Sequence, residues 1–354
     1  MIRDKIILSL PLLLLLSGCA SIGPPTVSRD RFNYTAAISD SWKRQMLYDI
    51  VKIRYADAPV FMDVASVISQ YQVMGQINLS AKVTPQSGTR NDTLGATGQY
   101  IDRPTITYTP LVGEKFARSL MSPVRPSAVL GLIQTGIQVD VVFRLLVQEI
   151  NGIRNRSVGE NRPRAADPEF YALIEKLRKI QTVGGIAMRE TKRDKAEAVT
   201  MVIRGRGDSE TEALAVEVKK ILGLDLLASE FHVVFGASLA NDKEIALLTR
   251  SALGVLLDLS MDIETPAGDV REERVSPAFE EKAAGEHIRP LLRIRSSSEK
   301  PVDAFISVPY RNLYFWIDDR DLVSKRIFFA LMFLFTLVET GEKEAVPIVT
   351  IPTG

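Results

Sequence analysis

Few residues in this chain have types and spacings that could do chemistry. Cys19 is the only cysteine, and its thiol could act as a nucleophile, a metal ligand or a point of covalent attachment. In Asp318-Asp319-Arg320-Asp321, three carboxylates within four residues could hold a hard cation such as Mg²⁺ or Ca²⁺ through oxygen ligands. The same carboxylates stand where a strand passes into the longest helix, and there they suit capping free N–H groups and meeting the positive end of the helix dipole. Capping is the reading adopted; no metal is expected, and Asp318, Asp319 and Asp321 stay as the candidate ligands. The two histidines are far apart in sequence: His232 sits in the apolar run Phe231–Val234 and His287 follows Glu286 in a charged stretch. Neither has the helical histidine partner of a zinc hydrolase. Ser238 in Gly236–Ala240 lacks the closing glycine of a nucleophile elbow, and Ser297-Ser298-Glu299-Lys300 matches Ser-x-x-Lys in a polar turn, away from a helix start. No glycine-rich phosphate loop occurs. No catalytic residue is assigned, and no cofactor is expected.

The surroundings of Cys19 say more. Arg3 and Lys5 precede Ile6–Leu16, an almost unbroken run of Ile and Leu, and small residues follow, the pattern of a secretory signal. The run is too short for a membrane-spanning helix of about 20 residues. Leu16-Ser17-Gly18-Cys19 resembles the lipobox of bacterial lipoproteins. That resemblance implies lipid attachment at the Cys19 sulfur, cleavage after Gly18 by a peptidase that reads Leu16, Ser17 and Gly18, and acylation of the freed amine. Two or three chains hold a protein on a bilayer, where one does so only marginally. Ala20 after the cysteine resembles the pattern sent on to the outer membrane in Gram-negative bacteria. The expectation is a protein lipid-anchored to the outer membrane and facing the periplasm.

Composition narrows the remaining possibilities. A lipidated Cys19 leaves no thiol for a disulfide or a thiolate metal site. Without the first 18 residues, Lys plus Arg equals Asp plus Glu, so net charge points neither to nucleic acid nor to a strongly anionic surface. A local excess of Arg and Lys between Arg154 and Arg206 reads as solvated surface.

The elements that must position any site follow from periodicity. Ala20–Thr26 opens a polar tether over 19–38, and a helix is expected from Ser39 or Asp40 to about Tyr55. Val73–Val83 alternates apolar and polar residues, Pro85–Gly98 reads as an extended Gly/Thr/Asn-rich loop, and Gln99–Thr109 is a second extended run. Together these predict a long antiparallel hairpin at about 73–109. Its strands approach the 9 to 11 residues or so that cross a membrane in a β-barrel. A soluble sheet with one face on a core shows the same alternation, and that is the reading preferred. Short helices are expected at Gly113–Met121 and Pro126–Thr135, and a strand at Val139–Ile150. Beyond a linker at 154–166, helices at about 168–184, 208–222, 251–262 and 319–340 alternate with strands. The run Ile327–Val338 reads as a helix buried against the sheet. The fold class is α+β, with mainly antiparallel sheets and packed helices, in two domains at 39–153 and 167–354.

The part after the signal also resembles a set of proteobacterial lipoproteins with no assigned activity, through Arg103–Pro110, Ile150-Asn151-Gly152 and Phe315–Asp321. That resemblance implies location alone. The expected function is a non-enzymatic binding or assembly component of the envelope, with the membrane and other envelope proteins as partners and no nucleic acid. The alternatives are a subunit of an oligomeric outer-membrane pore or export complex using the 73–109 hairpin, and an envelope hydrolase using Asp318, Asp319 or Asp321.

Overall fold

The computed structural model describes residues 24–68, 71–83, 90–102, 105–158, 163–193, 196–205, 209–283 and 286–338. Leu16, Ser17, Gly18 and Cys19 lie outside the described residues. The chain divides into two units, Val60–Leu111 and the residues on either side of it.

The larger unit begins with α1 (Pro24–Arg54), a helix of 31 residues. The tether expected to reach residue 38 is therefore helical from Pro24 onward, because prolines are tolerated in a first helical turn and nothing between Thr26 and Ser39 breaks a helix. Only its end reaches the core: Met46, Leu47, Ile50 and Val51 are buried, and α1 packs on α7 (Ala252–Ser260) and on β14 (Ala304–Tyr310).

After α2 (Glu114–Met121) and α3 (Pro126–Gln134), the stretch expected as one strand splits into α4 (Val139–Leu146) and β5 (Val147–Ile150). Val139, Val142, Phe143 and Leu146 are buried at helical spacing. Valine density masks that period, since β-branched side chains favour strands. Asn151 and Gly152 then take positive φ and turn the chain into β6 (Ile153–Arg154), the geometry for which Asn-Gly is the preferred two-residue hairpin. The Asn151 amide locks that turn to the body, accepting from the Ala246 N–H at 2.7 Å and donating to the Leu222 carbonyl at 2.8 Å.

The main sheet has six strands in the order β6-β5-β10-β9-β8-β7, completed by β7 (Ile186–Arg193), β8 (Ala196–Ile203), β9 (Glu230–Phe235) and β10 (Glu244–Thr249). All its pairs are antiparallel except β10 on β9. Helix α3 and α5 (Pro168–Thr182) lie against this sheet, and α6 (Ser209–Leu222) packs on α5. After α8 (Ala267–Arg271) and the short pair β11 (Lys282–Ala283) and β12 (Glu286–His287), a second sheet pairs β13 (Arg295–Ser297) and β14 with β15 (Leu313–Asp318) between them. The fold is α+β with mostly antiparallel sheets, as the sequence predicts. The last helix, α9 (Leu322–Val338), buries Ile327, Phe328, Leu331, Leu334 and Phe335 but leaves Phe329 and Phe333 exposed. It packs on α7 rather than flat on the main sheet. No described helix is long and apolar enough to cross a membrane.

The linker predicted over 154–166 is a correction. Asn155 and Arg156 are buried, with the Asn155 amide donating to the Val147 carbonyl at 2.7 Å. The Arg156 guanidinium grips Asp258 through Nε and Nη2 and Asp262 through Nη1 and Nη2, at 2.8–3.1 Å. Arg250 donates to Asp258 at 3.2 Å and to the Arg156 carbonyl at 2.6 Å. The polar composition that reads as a boundary here forms an internal charge network joining this segment to α7, and the division falls at Val60 and Leu111 instead.

Candidate assembly ribbon

Unit Val60–Leu111 is built from four strands: β1 (Met62–Ile68), β2 (Tyr71–Val83), β3 (Arg90–Asp102) and β4 (Thr105–Pro110). β1 pairs only with β4 and β2 only with β3 among the described residues. The two ladders keep one register: Ile68 faces Thr105, and three residues further along each strand Tyr71 faces Asp102. Each ladder is antiparallel and two strands wide, and the unit they make up is termed the ribbon. The hairpin predicted at 73–109 is thus corrected in detail. Arg90–Gly98, read as loop, belongs to β3, and Thr105–Thr109 pairs with β1 rather than with Val73–Val83.

Register assigns positions to faces, because directly paired residues of two antiparallel strands share a face and neighbours along a strand alternate. One face takes Val73, Gly75, Ile77, Leu79 and Ala81, opposite Tyr100, Gly98, Ala96, Leu94 and Asp92. The other takes Gln72, Met74, Gln76, Asn78 and Ser80, opposite Ile101, Gln99, Thr97, Gly95 and Thr93. The first is apolar along most of its length, the second mostly uncharged polar.

A β-bulge preserves this segregation. The register shifts between Val64 and Ser66, leaving Ala65 as the extra residue. Beyond the shift Val64 faces Tyr108 and Met62 faces Pro110, whereas before it Val67 faces Ile106. The bulge thereby holds Val67, Val64 and Met62 on the face that carries Ile106, Tyr108 and Pro110. Without it Asp63 would replace Met62, since a one-residue slip moves every side chain to the opposite face.

Part of this unit's surface is exposed. Thr105–Pro110 is exposed throughout, including Ile106 at 41% and Tyr108 at 52%, and Met62 is 42% exposed. On the polar face Thr97 and Gln99 are exposed as well. A two-stranded ribbon has two edges of unpaired N–H and C=O groups and no third layer, so it is marginal alone in water.

The carboxylates predicted as caps or metal ligands lie elsewhere, in the larger unit. Asp321 caps α9, accepting from the Ser324 N–H at 3.1 Å and its hydroxyl at 2.8 Å, and pairs with Arg289. Burial pushes the Asp321 carboxyl up, but the bonds from Ser324 and Arg289 outweigh it and hold the group below its ordinary value. Asp318 pairs with Arg295 at 3.1 Å and Asp319 with Lys325 at 2.7 Å. Asp318 and Asp321 line a groove of about 460 Å³ together with Arg289, Arg293, Arg295 and Arg320. Four guanidiniums around two carboxylates make this groove basic, which opposes a hard cation, and no group of three or more metal-ligating side chains occurs among the described residues. The arginines were legible as Arg289-x-x-x-Arg293-x-Arg295, a pattern the acidic run overshadows.

The remaining candidates stand apart. His232 and His287 are exposed on β9 and β12. The Ser297 hydroxyl donates to the Glu299 carbonyl at 2.8 Å within its turn.

No family model matches this chain, and no match to it was found among curated proteins or solved structures.

Proposed function

We propose that this chain is a lipid-anchored cell-envelope protein facing the periplasm, working as a binding and assembly component rather than as an enzyme, with the ribbon as its assembly element. The observation that carries this reading is the ribbon itself: a two-strand-wide unit with an apolar face, an exposed strand β4 and, among the described residues, no third strand on either edge, whose cheapest satisfaction is other protein strands or a membrane. The charged start, the apolar run and Leu16-Ser17-Gly18-Cys19 support the anchor. The acidic run favours no hydrolase, since each of its carboxylates is tied into an ion pair.

Two measurements test the reading. Cys19→Ser should release the protein from the membrane fraction or block its processing; a variant that is cleaved normally and stays membrane-bound refutes the anchor. A photo-crosslinking amino acid placed in cells at Tyr108, exposed on β4, should give discrete adducts with envelope proteins or with further copies of this chain. Absence of any adduct there, in protein of normal abundance, refutes the ribbon as an assembly element.

A further inference from the structure

Resting on the reading above, we infer that the β2–β3 hairpin is one membrane-crossing segment of a β-barrel closed by further copies of this chain.

Charge and length carry the first step. From the rung Gln72–Ile101 to the rung Ser80–Thr93, neither strand holds a charged residue, in a chain that is 25% charged. Asp102, opposite Tyr71, closes this stretch at one end, and Asp92, opposite Ala81, begins the charged residues at the other, followed by Lys82 and Arg90. Ten residues separate the two aspartate rungs along β2, about 33 Å of strand. Tilted by about 40°, as in transmembrane barrels, that length spans about 25 Å along the membrane normal, the height of their apolar band. The run of residues between matches the 9 to 11 or so that cross a bilayer. Tyr71 and Tyr100 stand at the Asp102 end, where interfacial aromatics belong.

The two faces carry the second step. Barrel strands put apolar residues toward lipid and polar ones toward a watery interior, alternating along each strand. The register delivers this on both strands at once: Val73, Ile77 and Leu79 with Tyr100, Ala96 and Leu94 on one face, and Gln76, Asn78 and Ser80 with Thr97, Gly95 and Thr93 on the other. A soluble ribbon would need its apolar face on a core, and no third strand or helix belongs to this unit among the described residues.

The third step names the partner. A bilayer interior contains no water to satisfy an open sheet edge, so a lone hairpin cannot stay there. The missing strands must have apolar bands of equal length at equal height. Copies of this chain meet both conditions, since each carries the same hairpin and each, anchored at the same residue, stands at the same depth. Added hairpins keep the strand number even and antiparallel, and the Gln/Asn/Ser/Thr face becomes a continuous uncharged lining for a pore.

The test uses the full-length lipidated protein in phospholipid vesicles. Ile77→Cys, Leu79→Cys, Asn78→Cys and Thr97→Cys are each labelled with an environment-sensitive fluorophore. Emission from positions 77 and 79 should be lost to quenchers carried on lipid tails, and emission from 78 and 97 to aqueous iodide. Amine crosslinking should give a ladder above the monomer. Equal quenching by iodide at all four positions overturns the inference, and so does alternation in a protein that crosslinks only as monomer. The parent protein separates this from the underlying reading: if its Cys19 thiol labels, the lipid anchor fails whatever the hairpin does.

Discussion

Replacing Arg156 with methionine keeps much of the side-chain volume and removes one charge from the buried network. Among the described residues, the guanidinium supplies both side-chain hydrogen bonds that Asp262 accepts, at 2.8 and 3.0 Å, and three of those reaching Asp258, at 2.9–3.1 Å. Its side chain is 6% exposed and those of Asp258 and Asp262 are 2% and 1% exposed, so water cannot take its place. Arg250 stays at 3.2 Å from Asp258, while Glu281, 3.9 Å from Arg156, adds a third carboxylate to the same interior. Breaking a buried pair by removing one partner costs about 3–5 kcal/mol, a large part of a typical stability of about 5–15 kcal/mol. Burial already pushes the Asp262 carboxyl above its ordinary value, with Arg156 pulling it back. Removing that pull raises it further. A carboxylate raised in the folded state contributes stability while protonated and loses it as pH rises through the folded pKa. The deficit of Arg156→Met, measured by urea unfolding followed by circular dichroism, should therefore be larger at about pH 8 than at about pH 5. A loss below about 1 kcal/mol at the higher pH, or a deficit that does not shrink in acid, refutes the network as a structural tie.

Other predictions concern the ribbon and the cap. Leu79→Arg should abolish crosslinked oligomer in membranes, since on the side proposed to face lipid a charge costs about 2–4 kcal/mol per copy, whereas Asn78→Arg on the polar face should leave the ladder intact. Inserting one residue between Gln76 and Ile77 should abolish assembly too, because it moves the rest of β2 to the opposite face; unchanged crosslinking would rule out the assigned register. Asp321→Ala should lower stability by about 1 kcal/mol through loss of the α9 cap, read as a fall in the urea midpoint. Since the Asp321 carboxyl is held below its ordinary value, that contribution is present above the unfolded carboxylate pKa and lost as pH falls through the folded one, so the variant and the parent should converge in acid.

The elements read correctly from sequence are those in which one local pattern dominates. α5 has Pro168 at its start and an apolar stripe of Phe170, Ile174, Leu177 and Ile180, and the structure buries all four. β1 is not legible in the sequence, because the bulge at Ala65 breaks the period of two by which a strand is recognised. Gly95, Gly98, Thr93 and Asn91 have turn chemistry that reads as loop, and only pairing with β2 makes most of β3 a strand. The charge network is equally hidden. Arg156 is about a hundred residues from Asp258 and Asp262 in sequence, and nothing near it marks a residue whose side chain will be buried.

By itself, then, the sequence determined the α+β class, most helices, the alternating strand Val73–Val83 and a capping role for the acidic run Asp318–Asp321, because periodicity, caps and turn residues act within a few positions of the chain. Tertiary structure alone decided the unit boundaries, the burial of Arg156 and the register that places most apolar positions of the β1–β4 and β2–β3 ladders on one face. Pairing across a ribbon and charge compensation in a core join residues that no local pattern connects.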